Sequence, residues 1–433
     1  MSMRISARTI ASFMIGAIIY FSLGGGAYFL GGRLNVIALG FTVILFFYGA
    51  ILAGLNVREN DFNWSVWFFG PLVFAAYILI APAITFSINT GVSPLPSIAA
   101  GRTFILLLFA PALYFLYRVG YRVEDIERVF IITLVLVILS YVFHYFRMDL
   151  VAAYNSTDYL VNSLVVYDPW RGYRLIPPGK ALSLTTVIST ILIFKANSGF
   201  KKLLFLSVFL LCLWIWSLVL ARAVTAALLF AVLAYHFFFA RKPRLGIFFM
   251  ALPVLLVLAT YATMESMQAL AKLDPEWDGV RYKSYGIALD VLKQYPIFGF
   301  GQQSYATITV QQIFWYKFYP SDIGIMGVGF EYGIVGMVLY LYFAITSVSK
   351  LVSTNWLYRE KLGTTNPQMI AITVLFISWV PSLAMSPQMT GSAGLVCLAL
   401  AISLCAIWRH KLVGTSSPVP TRQGLLSSTQ PAV

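Results

Sequence analysis

Apolar runs of about 20 residues recur from one end of this chain to the other, and nothing else constrains its fold so tightly. That is the length an α-helix needs to cross the hydrocarbon core of a bilayer. Inside lipid the backbone must satisfy its own hydrogen bonds, so each run is expected to be helical. Of the 433 residues, 60% are hydrophobic and only 11% are Asp, Glu, Lys or Arg. Soluble domains carry about 25% charged residues. A water-soluble fold is therefore excluded, because it would expose far too much apolar surface. The chain reads as an all-α polytopic membrane protein.

The runs give about 12 candidate spans: 10–30, 34–55, 64–86, 102–118, 129–146, 181–196, 202–219, 223–240, 245–263, 325–346, 368–387 and 391–408. The seventh and eighth are cut at Arg222, where one apolar stretch is too long for a single crossing and a tight hairpin resolves it. The basic start, MSMRISAR, resembles a signal peptide. Its apolar run is long, shows no small-residue cleavage site and precedes further spans, so it is expected to remain as the first helix.

Short basic loops fall on one face: Arg4 and Arg8; Arg58; Arg118, Arg122 and Arg128; Lys195, Lys201 and Lys202; Arg241, Lys242 and Arg244; Lys350, Arg359 and Lys361; Arg409, Lys411 and Arg422. The cytoplasmic bias of Lys and Arg makes this face cytoplasmic, with both termini on it. Residues 1–411 form the expected transmembrane domain. Residues 412–433, rich in Ser, Thr, Pro and Gln without periodicity, form an expected disordered cytoplasmic tail. Two long loops, about 147–180 and 263–324, lie on the opposite, periplasmic face, the larger between spans nine and ten. This lopsidedness, and the lack of an internal repeat, argue against a transporter of two similar six-helix halves.

A net charge of +14 would point to nucleic acid in a soluble protein. Here it splits into topology-setting cations and a smaller outer set, so no nucleic-acid partner is expected. Cys212, Cys397 and Cys405 all sit in apolar runs and resemble neither a disulfide framework nor a metal site. His144, His236 and His410 do not cluster and read as structural. There is no Walker lysine loop, HExxH or GxSxG, so neither ATP nor zinc hydrolysis is supported.

The outer cations are Arg102, Arg147, Arg171, Arg174, Lys180, Arg222, Arg281 and Lys283. Arg222, in SLVLARAVTAALL, is the sharpest. A guanidinium near apolar depth either snorkels to a helix end or faces an anion in a cavity. Arg281 opens RYKSYGIALDVLKQYPIFGFG. Tyr285, Ala288, Leu289 and Leu292 recur there at helical spacing, which predicts an amphipathic helix over 281–294. An Arg at its positive end suits an anion, while the plain alternative is a solvated surface helix. Pro296, Gly299 and Gly301 then predict a tight turn with exposed backbone. Asp322 stands just before span ten and Glu331 lies within it. An acid inside an apolar span marks either a functional site or a structural pair with a neighbouring Arg. Gly324, Gly327, Gly329, Gly333 and Gly336 read as close packing. The aromatic residues of the two loops, Tyr154, Tyr167, Trp170, Tyr173, Tyr285, Trp315 and Tyr319 among them, fit an interfacial belt or a sugar-binding surface.

Three features now line up in order: LARAVTAALL, the R-x-x-x-Y helix ending in YPIFGFGQQSY, and the span FEYGIVGMVLYL. Over roughly residues 180–345 they resemble the O-antigen ligase/polymerase superfamily. Its members show a Ser-Arg-Gly-like stretch, a Gly-Arg-x-x-x-Trp helix ending in Pro-Leu-x-Gly-x-Gly, and a Gly-x-x-Gly span. Here Tyr285 stands where Trp is common, and Ala221 precedes Arg222. Ligases of the superfamily carry a His-Asn pair about eleven residues before the Gly-x-x-Gly element. Asp322 and Ile323 occupy that place, which looks more like Wzy-type, exopolysaccharide-like polymerases.

The resemblance implies a C-type (GT-C-like) glycosyltransferase of the bacterial inner membrane. It would polymerise undecaprenyl-pyrophosphate-linked oligosaccharide repeats at the periplasmic face into exopolysaccharide or O-antigen, releasing undecaprenyl pyrophosphate. Two alternatives stay open: a ligase moving glycan to lipid A-core, and a lipid-linked sugar flippase or transporter. The implied partners are the lipid-linked glycans, a chain-length regulator and a flippase. No cofactor, metal or nucleotide sugar is implied, since the lipid pyrophosphate already activates the donor. Arg222 and Arg281 would stabilise the pyrophosphate. Asp322 would be the base, with Glu331 in reserve. Arg171, Arg174, Lys283, Tyr285 and Tyr319 would bind substrate.

Overall fold

A computed structural model describes residues 7–30, 34–56, 66–168, 172–219, 222–240, 278–303, 308–383 and 388–414. A few side chains inside those ranges lie outside the description, those of Arg222 and Arg281 among them. The molecule is mostly helical. Its long elements are α1 (Ala7–Ser22), α2 (Leu34–Asn56), α3 (Val66–Thr90), α4 (Phe109–Arg118), α5 (Val123–Arg147), α6 (Gly179–Lys195), α7 (Gly199–Val219), α8 (Arg222–Ala234), α9 (Asp278–Gln294), α10 (Gly324–Leu362), α11 (Pro367–Ser382) and α12 (Ser392–Gly414). Helical segments overlap each expected span except the ninth, 245–263, which lies outside the described residues together with the tail from 415. Seven helical segments among the described residues are long and apolar enough to cross a membrane, and three shorter apolar helices accompany them.

Burial separates the centre of the bundle from its rim. In α12, 78% of the apolar window is buried, against 17% in α7. With so few charges on α7, its exposed Leu203, Leu204, Leu210 and Leu213 belong against lipid rather than water. α12 is the central post, sheathed in aliphatic and aromatic side chains from α1, α4, α10 and α11.

Polar contacts knit one end of the bundle. Arg118 Nη1 and His410 Nε2 are 2.9 Å apart, Arg409 Nε donates to Thr354 Oγ1 at 2.8 Å, and Lys411 meets Glu124. Lys195 reaches the Thr365 carbonyl, and Trp356 Nε1 donates to the Phe239 carbonyl at 2.8 Å. Glu127 is buried there, and its Oε1 accepts from Asn366 Nδ2 at 2.6 Å and Trp408 Nε1 at 2.7 Å. Of the loops expected to share one basic face, those at Arg118–Arg128, Lys195, Lys350–Lys361 and Arg409–Lys411 therefore converge, while Arg4, Arg58, Arg241–Arg244 and Arg422 lie outside the described residues.

The opposite end departs from an all-α picture. Within the expected loop 147–180, β1 (Val165–Asp168) and β2 (Gly172–Leu175) form an antiparallel hairpin with Val165 opposite Leu175 and Tyr167 opposite Tyr173. The Tyr167 and Tyr173 rings lie 4.8 Å apart, a cross-strand pair of the kind that stabilises short sheets. Tyr28 Oη donates to the Ile176 carbonyl at 2.8 Å and seals the hairpin onto the bundle.

α10 is not one straight rod. Gly333 adopts φ 67°, ψ −169° and breaks it. The turn expected to expose its backbone at 296–301 instead fills this break. Ile334 N–H donates to the Pro296 carbonyl at 2.8 Å, and Phe300 N–H donates to the Phe330 carbonyl at 2.7 Å. Asn89 Nδ2 on α3 caps the Phe300 carbonyl at 2.9 Å, and Gly299, Phe300 and Gly301 are buried. A kink inside a membrane helix frees polar groups that must find partners. The Pro-Ile-Phe-Gly-Phe-Gly segment supplies them.

Candidate functional site

The hairpin delivers the chain to the end of the bundle away from the basic loops. After β2, Ile176 is pinned by Tyr28, and Pro177–Pro178 leads straight into α6 at Gly179. Proline fixes φ and lacks an N–H, which suits a rigid lead-in to a helix. No side chain caps this helix start. Its end opens on a cavity of about 320 Å³ walled by Ser22 at the end of α1 and Gly24 after it, Pro177–Lys180 and Ser183, Ala227 of α8, Ser378, Trp379 and Ser382 of α11, and Gln388 before α12. Lys180 Nζ lies 5.8 Å from the Trp379 ring centroid. Among the described residues, no Asp or Glu lines this cavity.

Arg222 is the first residue of α8, a turn and a half before the cavity-lining Ala227. Its helix packs against α11, another wall of the same cavity. Asp322 reaches the region by a different route. It sits in a short 3₁₀ turn, Pro320–Asp322, immediately before α10. Ile325 N–H donates to the Leu383 carbonyl at 2.8 Å, so the start of α10 is bonded to the residue after Ser382 on the cavity wall. The Asp322 carboxylate is exposed, and Ser321 Oγ donates to its Oδ1 at 3.2 Å. Glu331 lies two residues before the Gly333 break, half-buried, with the Tyr332 hydroxyl interacting with its carboxylate.

The expected helix after Arg281 exists, and it begins slightly earlier, at Asp278. It packs on α10 and on the 3₁₀ turn that holds Asp322. Its most buried residues are Ser284, Ala288 and Val291, with Tyr285, Leu289 and Leu292 flanking them. The inward face is thus rotated by one position from the apolar pattern, because Ser284 ties its hydroxyl back to the Val280 carbonyl and can be buried. Lys283 Nζ stacks 4.3 Å from the Trp315 ring centroid. Tyr319 is exposed beside Pro320, and Tyr285 packs into the aromatic cluster around Phe300, Phe318 and Phe330. Arg174 lies on β2, opposite Val166. Arg171 lies outside the described residues.

Two neighbourhoods therefore stand at the end away from the basic loops. One joins Lys180 and the start of α8. The other joins α9, Trp315 and Asp322. The Ile325–Leu383 bond bridges them. Lys180 was legible only as an outer cation. Its signal was the run Pro177-Pro178-Gly179-Lys180 directly ahead of an apolar span.

Fold and site together define a multi-pass membrane protein with a cationic pocket at one end of a helical bundle. Residues 179–341 match the family model described as O-antigen ligase, so this stretch is a domain of the O-antigen ligase/polymerase superfamily, as its motifs indicated. The family comprises glycosyltransferase-like enzymes of glycan assembly. No curated protein matches the chain. The matched stretch takes in Lys180, Arg222, Arg281, Lys283, Tyr285, Tyr319, Asp322 and Glu331, and begins just after Arg174.

Proposed function

We propose that this protein is a GT-C-like glycosyltransferase of the bacterial inner membrane that polymerises oligosaccharide repeats carried on undecaprenyl pyrophosphate. The acceptor hydroxyl of one lipid-linked unit attacks the anomeric carbon of the other chain. The bond from that carbon to the pyrophosphate oxygen breaks, and the pyrophosphate leaves with the electron pair on its lipid. Asp322 takes the hydroxyl proton. Arg222 and Arg281 face the negative charge that grows on the leaving group, where preorganised cations do the most for a transition state. Arg171, Arg174, Lys283, Tyr285 and Tyr319 contact the glycans.

One observation carries the reading. Within a domain of this family, the helix that Asp322 precedes is hydrogen-bonded, through Ile325 N–H, to Leu383, the residue after Ser382 on the wall of a pocket that no described acid lines and whose other walls hold Lys180 and the helix begun by Arg222. The face with this pocket is periplasmic and the face with the basic loops is cytoplasmic, with about 12 spans and both termini inside.

The family's description as a ligase favours a second reading, transfer to lipid A-core. Purified protein given lipid-linked repeats alone separates the two. A ladder of lengthening chains supports the polymerase. Single transfer that appears only when lipid A-core is added would replace it with the ligase.

A further inference from the structure

Ser22 is 3% exposed, and its Oγ hydrogen-bonds to nothing among the described residues. A buried hydroxyl without a partner is unfavourable unless something in the site meets it. It lines the same cavity as Lys180. Lys180 in turn forms no ion pair among the described residues, and its neighbour in the cavity is the Trp379 ring. A lysine set in a pocket without carboxylates needs charge from elsewhere. The start of α6 borders the same space: no side chain caps it, the Gly179 N–H turns back to the Pro177 carbonyl, and the helix end carries a partial positive charge. Cation, free hydroxyl and helix start are all donors, and together they define an acceptor-rich anion. The volume, about 320 Å³, is that of a small-ligand site and exceeds what a bare phosphate fills.

We propose that Lys180 and Ser22 hold a diphosphate group in this cavity, presented by a prenyl lipid that enters at the outer end of the bundle. This rests on the polymerase reading and adds to it a binding site with its own residues. Lys180 neutralises one phosphate, Ser22 Oγ donates to an oxygen of the same group, and Trp379 flanks the lysine stem. Arg222, which begins the helix of the cavity-lining Ala227, keeps its proposed role on the leaving group.

The probe is geranylgeranyl pyrophosphate, titrated into the full chain in nanodiscs with tryptophan emission as readout. Saturable binding is expected. Lys180→Ala should weaken it at least tenfold, Lys180→Arg should restore it to within about threefold, and Ser22→Ala should weaken it several-fold. Trp379→Phe should remove most of the emission change while binding persists by a radiolabel assay. Lys293→Ala, whose lysine pairs with Asp290 on an exposed face of α9, should bind as the wild type does. Geranylgeraniol should not compete. Inorganic pyrophosphate competing only weakly assigns the diphosphate to a lipid, whereas equal competition assigns it to a free anion. A monodisperse Lys180→Ala protein with unchanged affinity overturns the proposal, as does a wild-type protein that binds no diphosphate. Chain production by the same preparations tests the polymerase reading separately. A ladder without Lys180-dependent binding removes only this inference, and intact binding without transfer removes only the polymerase.

Discussion

Gly299 and Gly333 meet backbone to backbone: a Cβ on Gly299 would stand 2.6 Å from the Gly333 nitrogen and from the Phe330 carbonyl oxygen. Both residues have positive φ, 72° and 67°. The close approach lets the Pro296–Gly301 turn fill the break in α10, and so sets where Glu331 and the preceding Asp322 segment lie.

Alanine at either glycine should therefore unseat the turn. A non-glycine residue at such φ costs roughly 1–2 kcal/mol before any clash is counted. Here backbone atoms, which cannot move aside, add to that. Thermal melting followed by size-exclusion chromatography should show a clear drop for Gly299→Ala and Gly333→Ala. Gly54→Ala, in α2 with open space around its Cβ, should be neutral or slightly stabilising. Equal behaviour of all three would mean that the turn is not seated in the kink.

Arg222→Ala and Arg281→Ala should each abolish long-chain polysaccharide while the protein level is kept. Loss of one preorganised charge-stabilising group costs about 10²–10³ in rate. Lysine keeps the charge and loses the fork, so Arg→Lys variants should fall between. Chain-length distributions on gels, normalised to protein by immunoblot, provide the check. Normal ladders in both alanine variants would remove these residues from the chemistry.

Asp322 and Glu331 separate on environment. The first is exposed before α10, and the second is half-buried at the kink. Asp322→Asn should lower turnover by about 10²–10⁴, the usual contribution of a general base, with little change in stability. Glu331→Gln should disturb melting more than turnover. The reverse pattern, with Asp322→Asn active and Glu331→Gln stable but inactive, would move the base to Glu331.

Helices were legible because lipid leaves the backbone no other choice. The runs 34–55, 202–219 and 391–408 fall almost where α2, α7 and α12 lie. What escaped depends on long-range partners. The β1–β2 hairpin is four residues a strand, too short for alternation to stand out, and it is held by Tyr28 from far upstream. The turn at Pro296 looked exposed because glycine pattern alone says nothing of what covers it, and here the covering is α10 itself. α10 also runs on to Leu362, past the expected end at 346, because Ser347–Leu362 stays amphipathic and packs against the basic end. In the site, acids and cations could be picked out one by one from charge in apolar context. Their grouping could not, since Lys180, Trp379 and Ser22 come from three separate helices or their ends.

The Glu127 clamp should be structural. Asn366 and Trp408 both donate to its Oε1. Glu127→Ala leaves two buried donors orphaned, at about 1–3 kcal/mol each. Glu127→Gln keeps a carbonyl oxygen for at least one donor and should lose less. The expected ranking in melting temperature is wild type, then Gln, then Ala, with polysaccharide length unchanged at low temperature. A change in chain length at full protein level would tie this end of the bundle to catalysis.

Orientation can be read from the same clamp. Arg118, Lys195, Arg409 and Lys411 gather with Glu124 and Glu127 at one end, and the pocket with Lys180 lies at the other. Short basic loops stay in the cytoplasm. A reporter that is active only outside should therefore light up when fused near Trp277 or Tyr167, and stay dark when fused near Gly363 or Gly414. Because α6 and α8 both start at the pocket end, a cysteine at Gly172 should react with an impermeant thiol reagent from outside. Under the same conditions a cysteine at Ser198, between α6 and α7, should be protected. Labelling at both positions would break the alternation on which the pocket's periplasmic exposure, and hence its access to lipid-linked glycan, depends.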